Sequence, residues 1–115
     1  MDKLRVVVVG YGNIGKYAVQ ALQAAPDMEI AGIVRRSGAA DAPAELAGYA
    51  VVKDIAELGK VDVAILATPT RSVEEYALKC LALGINTVDS YDIHSSILDL
   101  RRSLSAAAKQ YGAVS

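Results

Sequence analysis

The stretch LRVVVVGYGNIGK, Leu4–Lys16, decides the fold. Leu4 to Val9 is apolar apart from Arg5 and rich in β-branched side chains, the pattern of a central buried strand. The run stops at Gly10, and Gly10-Tyr11-Gly12-Asn13-Ile14-Gly15 then spells GxGxxG. From Ile14 onward the apolar residues Ala18, Ala21, Leu22 and Ala25 recur at helical spacing until Pro26-Asp27 ends them. Each glycine of a strand–turn–helix unit has a physical role. Gly10 permits the tight turn, Gly12 lets the backbone approach a pyrophosphate, and Gly15 lets the helix sit close on the strand. The amides of Asn13 and Ile14 would face the phosphates from the helix N-terminus, where the dipole favours negative charge. The plainer alternative is a tight turn with no ligand, but the strand before it and the amphipathic helix after it favour a dinucleotide.

Working outward, Ile30 to Val34 reads as a second strand, followed by a polar, small-residue loop from Ser37 to about Pro43 and a short third strand around Tyr49 to Val52. Val61 to Ala67 is a fourth strand, apolar except for Asp62. Ser72-Val73-Glu74-Glu75 fits a capping box that opens a helix running to about Leu83, with Gly84 placed to close it. Ile85 to Asp89 is a fifth strand. Ile97, Leu100, Leu104, Ala107 and Tyr111 mark a last helix that Gly112 ends, and Ala113 to Ser115 reads as the start of a sixth strand. Alternating elements of these lengths imply parallel pairing through right-handed crossovers. The expected fold is therefore α/β, a doubly wound parallel sheet of the Rossmann kind in the order 3-2-1-4-5.

Composition agrees with this and narrows the function classes. With 115 residues the chain has room for one domain, residues 1–115, and not for a second of similar size. Its apolar residues are almost wholly Ala, Val, Leu and Ile, with no Trp or Phe, which suits parallel strands under small-residue helices. A net charge of −1 leaves no electrostatic footprint for nucleic acid. Apolar runs are strand-sized and no signal-peptide pattern opens the chain, so no membrane association is expected and the cytoplasm is the default location. Cys80 stands alone, without a disulfide or metal partner, and reads as helix packing. No metal site is expected.

The choice of dinucleotide falls at the end of the second strand, where NAD-binding sequences place Asp or Glu against the ribose hydroxyls. Here the strand ends in Arg35-Arg36-Ser37. Two guanidinium groups can clamp a 2′-phosphate bidentately and a serine can add a hydrogen bond, so NADP is the expected cofactor. The alternative is two solvated loop arginines. In an open sheet of this order the ligand crevice lies beyond the strand ends between strands 1 and 4. Ala67-Thr68-Pro69-Thr70 follows strand 4 and would let ribose and nicotinamide pass close to the backbone. Ser72, and with it Thr70, could instead serve only as a helix cap. Strand 5 exits into the polar cluster Asp89-Ser90-Tyr91-Asp92-Ile93-His94. Asp92 could hold a substrate amine, or equally be a turn aspartate facing water. His94, without a carboxylate or metal partner in the pattern, reads as a loop or cap histidine rather than a base.

The glycine turn, Ala25-Pro26-Asp27-Met28-Glu29, Arg35-Arg36 and Val88-Asp89-Ser90-Tyr91-Asp92-Ile93-His94 together resemble the N-terminal, NADP-binding portion of the meso-diaminopimelate dehydrogenases. The likeness covers essentially the whole chain, and the last cluster is its most specific part. It implies an oxidoreductase that catalyses NADP-dependent oxidative deamination of the D-amino centre of meso-2,6-diaminopimelate, a reaction of bacterial lysine biosynthesis. It further implies that Gly10, Tyr11, Gly12, Asn13, Ile14 and Gly15, Arg35, Arg36 and Ser37, Ala67, Thr68, Pro69 and Thr70, and Ser90 and Tyr91 serve cofactor binding, with Asp92 beside the substrate's amino group. The family's substrate and dimerisation domain has no counterpart in these residues. The expectation is thus a cofactor-binding part, inactive alone, that forms a homo-oligomer or associates with a downstream segment. A non-catalytic NADP-binding module that assembles with a partner chain is the competing reading. Related reductases acting on dihydrodipicolinate or aspartate share the glycine turn but are disfavoured by the Ser90-Tyr91-Asp92 cluster.

Overall fold

A computed structural model of the chain describes residues 3–38, 40, 42–68, 73–89 and 97–113. Strands β1 (Leu4–Val9), β2 (Met28–Val34), β3 (Val51–Val52), β4 (Val63–Leu66) and β5 (Asn86–Asp89) form one sheet in the order β3-β2-β1-β4-β5. All four pairings are parallel, as the alternation of elements implies. Helices α1 (Asn13–Gln23), α2 (Val73–Ala82) and α3 (Ile97–Tyr111) complete the two outer layers.

The valine run of β1 explains why both layers form. Side chains alternate across a strand. Val6 and Val8 therefore join a core cluster with Val19 and Leu22 of α1, while Val7 and Val9 join Ala64, Leu66 and the buried stripe Val73, Ala77, Cys80 and Leu81 of α2. Leu104 of α3 closes that second cluster. Each of the four valines is almost wholly buried, and burial of a side chain of this size stabilises the fold by about 1.5–3 kcal/mol. Aromatic bulk is not needed here because three helices of small and branched residues can approach one thin sheet closely.

Strand β2 begins two residues earlier than its apolar pattern suggests and carries an irregularity invisible in the sequence. Val6 pairs with Ile30 but Val7 pairs with Gly32, so Ala31 is an inserted residue. A bulge shifts side-chain parity. Ile33 consequently turns to the α1 layer and Val34 to the α2 layer. Gly32 matters at this point. A Cβ there would lie 2.6 Å from Leu58 Cδ2 and 2.8 Å from the Ala50 carbonyl oxygen, so only glycine lets the edge of the sheet close.

That edge is minimal. β3 has two residues, where the sequence suggests four, and is held by Ile33 and Arg35 amides donating to the Ala50 and Val52 carbonyls at 2.8 and 2.9 Å. Instead of a crossover helix between β2 and β3, a 3₁₀ turn over Ala44–Leu46 drops Leu46, 1% exposed, into the α1-side core. A second 3₁₀ turn, Ile55–Leu58, opens with a capping box: Asp54 Oδ1 accepts from the Ala56 amide and Glu57 accepts from the Asp54 amide. The D-x-x-E spacing signalled it, although the sequence reading placed a capping box only at Ser72–Glu75, and Ser72 lies outside the described residues.

The helix ends follow expectation. Ile85 and Gly84 amides donate to the Cys80 and Leu81 carbonyls, and Gly84 has φ +75°, which is the paired closure in which glycine takes the left-handed position. Gly112, φ +70°, ends α3 similarly, with Ala113 donating to the Ala108 carbonyl. The sixth strand expected from Ala113 onward falls almost entirely on Val114 and Ser115, outside the described residues.

Candidate functional site

The three strand ends that matter are tied together by backbone hydrogen bonds. The Gly10 amide donates to the Val34 carbonyl at 2.8 Å, and the Ala67 amide donates to the Val9 carbonyl at 2.8 Å. The glycine turn after β1, the arginine pair after β2 and Ala67-Thr68 after β4 therefore meet at the carboxyl edge of the sheet. Between them lies a crevice of about 410 Å³ lined by Val9 to Gly12, Val34 to Ser37, Thr68 and Tyr76.

The glycines divide the work as their positions suggest. Gly10 has φ +91°, and a Cβ on it would lie 2.9 Å from the Ala67 carbonyl oxygen. Gly15 sits so close to the turn that an added Cβ would overlap the Gly10 carbonyl oxygen. Gly12, by contrast, has nothing within 4 Å of its missing side chain. Gly10 and Gly15 are thus required by the protein's own packing, whereas Gly12 borders open space. Gly12 is the N-cap of α1, whose first turn carries no acidic residue. The N–H groups of that turn have no helical acceptor of their own, so their partial positive charge faces outward.

Three further observations describe how the crevice is charged and partnered. First, no carboxylate is found among its described lining residues, while Arg35 and Arg36 both line it. The two arginines differ: Arg35 Nη1 donates at 3.4 Å to the carbonyls of Gly38 and Ala40 and so holds its own loop, whereas Arg36 is exposed. Second, Thr68 Oγ1 is buried without a hydrogen-bond partner among the described residues, which is costly unless another group supplies one. Third, the Tyr11 hydroxyl donates to Glu45 Oε1 at 3.0 Å. Partial burial and, after it, this carboxylate push the Tyr11 hydroxyl above its ordinary pKa. Glu45 is held below the usual carboxylate range by its own backbone amide, by Tyr11 and by nearby Lys16.

The structure thus brings together Gly10, Tyr11, Gly12, Arg35, Arg36, Ser37 and Thr68, with Ala67 bonded to β1 at its rim and the backbone of Asn13, Ile14 and Gly15 opening α1. Pro69, Thr70, Ser90, Tyr91, Asp92 and His94 lie outside the described residues. Sequence reasoning missed Tyr76 and Glu45. Tyr76 could have been found as an aromatic three residues after Val73, in the first turn of the helix that follows the crevice strand. Glu45 carries no sequence signal, because only the folded loop brings it to Tyr11. No group of three His, Cys, Asp or Glu suited to a metal occurs among the described residues, and no helix there is long and apolar enough to cross a membrane.

A parallel 3-2-1-4-5 sheet whose glycine turn and switch-point crevice are arranged in this way defines a dinucleotide-binding Rossmann domain of the oxidoreductase type. Residues 4–115 match the model of the oxidoreductase family with the NAD-binding Rossmann fold, and the chain belongs to that family. It is 70% identical, over its whole length, to the meso-diaminopimelate D-dehydrogenase of Bacteroides fragilis, of which it covers 38%. Among solved structures, the DAP dehydrogenase of C. glutamicum in complex with DAP superposes with a TM-score of 0.81 at 32% identity, covering 98% of this chain and 35% of that one. An engineered D-amino acid dehydrogenase bound to NADP+ gives 0.78 at 32% identity, covering 96% and 35%. GenD2 from gentamicin A biosynthesis, in complex with NAD, gives 0.83 at 28% identity, covering 99% and 34%. The chain spans little more than a third of the proteins it resembles.

Proposed function

We propose that residues 1–115 are the NADP-binding domain of a cytoplasmic meso-diaminopimelate D-dehydrogenase, the part that holds the cofactor for oxidative deamination of the D-amino centre in lysine biosynthesis. The observation that carries the choice of NADP is the end of β2, where Arg35-Arg36-Ser37 line a crevice in which no described residue is acidic. A carboxylate there would repel a 2′-phosphate, and guanidinium groups attract it.

The fit to a dinucleotide rests on vacant chemistry. The open space at Gly12 admits a pyrophosphate, and the first amides of α1 meet it with favourable dipole and hydrogen bonds. The orphan hydroxyl of Thr68 gains a partner from a ribose or carboxamide group. Arg36 and Ser37 hold the 2′-phosphate, and Arg35 keeps their loop in place. When bound, NADP supplies the nicotinamide that accepts hydride from the substrate's α-carbon. The chain's own contribution is to fix that ring's position through its hold on the rest of the cofactor. Through the family resemblance, Asp92 binds the substrate's amino group, and Ser90, Tyr91, Pro69 and Thr70 complete the cofactor's surroundings.

Titration of the chain with NADP and NAD tests the cofactor. NADP should bind at least about tenfold more tightly, and the double variant Arg35→Ala/Arg36→Ala should abolish the difference. An unchanged affinity ratio would refute the assignment. Turnover separates a catalytic from a purely binding role: the chain alone should not oxidise meso-diaminopimelate with saturating NADP, and supplying the remaining two-thirds of a relative in trans should restore activity. No recovery would favour a non-catalytic module.

A further inference from the structure

We propose that Tyr76 is the platform for the purine base, stacking its ring on the adenine of the bound dinucleotide and thereby setting affinity at the 2′-phosphate end. The proposal rests on the reading of the crevice as a dinucleotide site. Tyr76 occupies the first turn of α2, three residues after Val73, and stands at the flank of the helix's buried stripe. It packs against the core cluster on one side and lines the crevice together with Val34, Arg35, Arg36 and Ser37. Half-buried in that position, the ring is held by the core and still meets the ligand space.

The remaining polar groups leave the base no comparable surface. Tyr11, the other aromatic residue at the crevice, has its hydroxyl committed to Glu45 on the far side of the glycine turn and also lines the adjoining groove against α1 with Lys16 and Gln20. Arg35 is occupied by two loop carbonyls. Val9, Val34 and the glycines offer apolar contact without a π face. A planar base next to the arginine pair therefore finds its one aromatic wall, among the described lining residues, at Tyr76. Stacking of this kind tolerates any purine and depends on the ring rather than on the hydroxyl.

The test uses adenosine 2′,5′-bisphosphate and nicotinamide mononucleotide as probes of the two halves of the site. Tyr76→Leu keeps apolar packing and removes the π face, while Tyr76→Phe keeps the ring. Affinity of the chain for adenosine 2′,5′-bisphosphate should fall about tenfold in Tyr76→Leu and stay within about twofold in Tyr76→Phe. Affinity for nicotinamide mononucleotide should be unchanged in both, and the loss of adenine absorbance on binding should persist only where a ring is present. If Tyr76→Leu binds the bisphosphate as the parent does, or weakens both probes equally, the platform is refuted while the dinucleotide reading stands. If the parent chain binds neither the bisphosphate nor NADP, the dinucleotide reading itself fails.

Discussion

The Tyr11 hydroxyl and the Glu45 carboxylate, 34 positions apart in the chain, meet at 3.0 Å and join the glycine turn to the 3₁₀ turn that follows the arginine loop. Tyr11 lines the crevice while Glu45 lines the adjoining groove against α1, so the bond ties the glycine-turn wall of the crevice to the loop behind it. Tyr11→Phe and Glu45→Gln should each weaken NADP binding by about threefold, and the double variant should be no weaker than either single one. Additive losses in a cofactor titration would show that the two residues act separately.

Gly12 and Gly15 should part company on substitution. Alanine at Gly15 would collide with the Gly10 carbonyl, and overpacking against backbone costs about 1–3 kcal/mol. Alanine at Gly12 meets nothing, and exchange of an N-cap glycine costs only about 0.5 kcal/mol. Denaturant midpoints should therefore drop clearly for Gly15→Ala and barely for Gly12→Ala. NADP affinity should nevertheless fall at least about tenfold in Gly12→Ala, because the new methyl group occupies the space assigned to the pyrophosphate.

The two arginines should also separate. Arg36→Ala removes an exposed cation that lines the crevice and should cut NADP affinity about tenfold while leaving NAD affinity nearly unchanged. Arg35→Ala releases the carbonyls of Gly38 and Ala40, and should weaken both cofactors through a loosened loop. Equal effects of the two substitutions on the NADP to NAD ratio would contradict this division.

Acid should destabilise the chain through Glu45 and Asp54. The Ala56 amide and then Lys79 hold Asp54 below the usual carboxylate range, as the backbone and Tyr11 do for Glu45. Their folded pKa values lie below the unfolded ones, so the unfolded chain binds more protons in that window. The stabilisation is complete above the unfolded pKa and is lost as pH falls through the folded values. Urea midpoints measured from about pH 7 down to about pH 3 should decline less steeply in Asp54→Asn/Glu45→Gln than in the parent.

Cys80 should be inert in the folded chain. It is 2% exposed, and burial pushes its thiol up to about 11, so the thiolate that reacts is scarce and shielded. A disulfide reagent at mildly alkaline pH should label it only as fast as the domain unfolds. Rapid labelling under native conditions would mean that α2 opens locally.

Much of this architecture was legible residue by residue. The valine run and the glycine turn announced a central strand and a close-packed helix because period-2 burial and glycine's missing Cβ are local properties. The helix ends at Gly84 and Gly112 were readable for the same reason, since left-handed backbone at a helix end is a one-residue requirement. The arginine pair could be placed at the crevice because it directly follows a strand whose exit position the fold dictates. The sequence also suggested small errors: β2 starts earlier than Ile30, β3 is shorter than four residues, and the capping box seen between β3 and β4 went unread.

Other features required the folded chain because they join residues whose separation carries no pattern. The bulge at Ala31 depends on how β1 and β2 settle their register, and Gly32 is needed only because Leu58 and Ala50 happen to press on it. The different duties of Arg35 and Arg36 follow from which loop carbonyls curl back within reach. Tyr76 lines the crevice because α2 packs its first turn over the end of β4, and Glu45 reaches Tyr11 because Leu46 is buried beside it. Local propensity and periodicity settle which elements form, since they act over a few residues. The spacing of the walls around a ligand is decided by packing between elements, where the geometry of one contact depends on all the others.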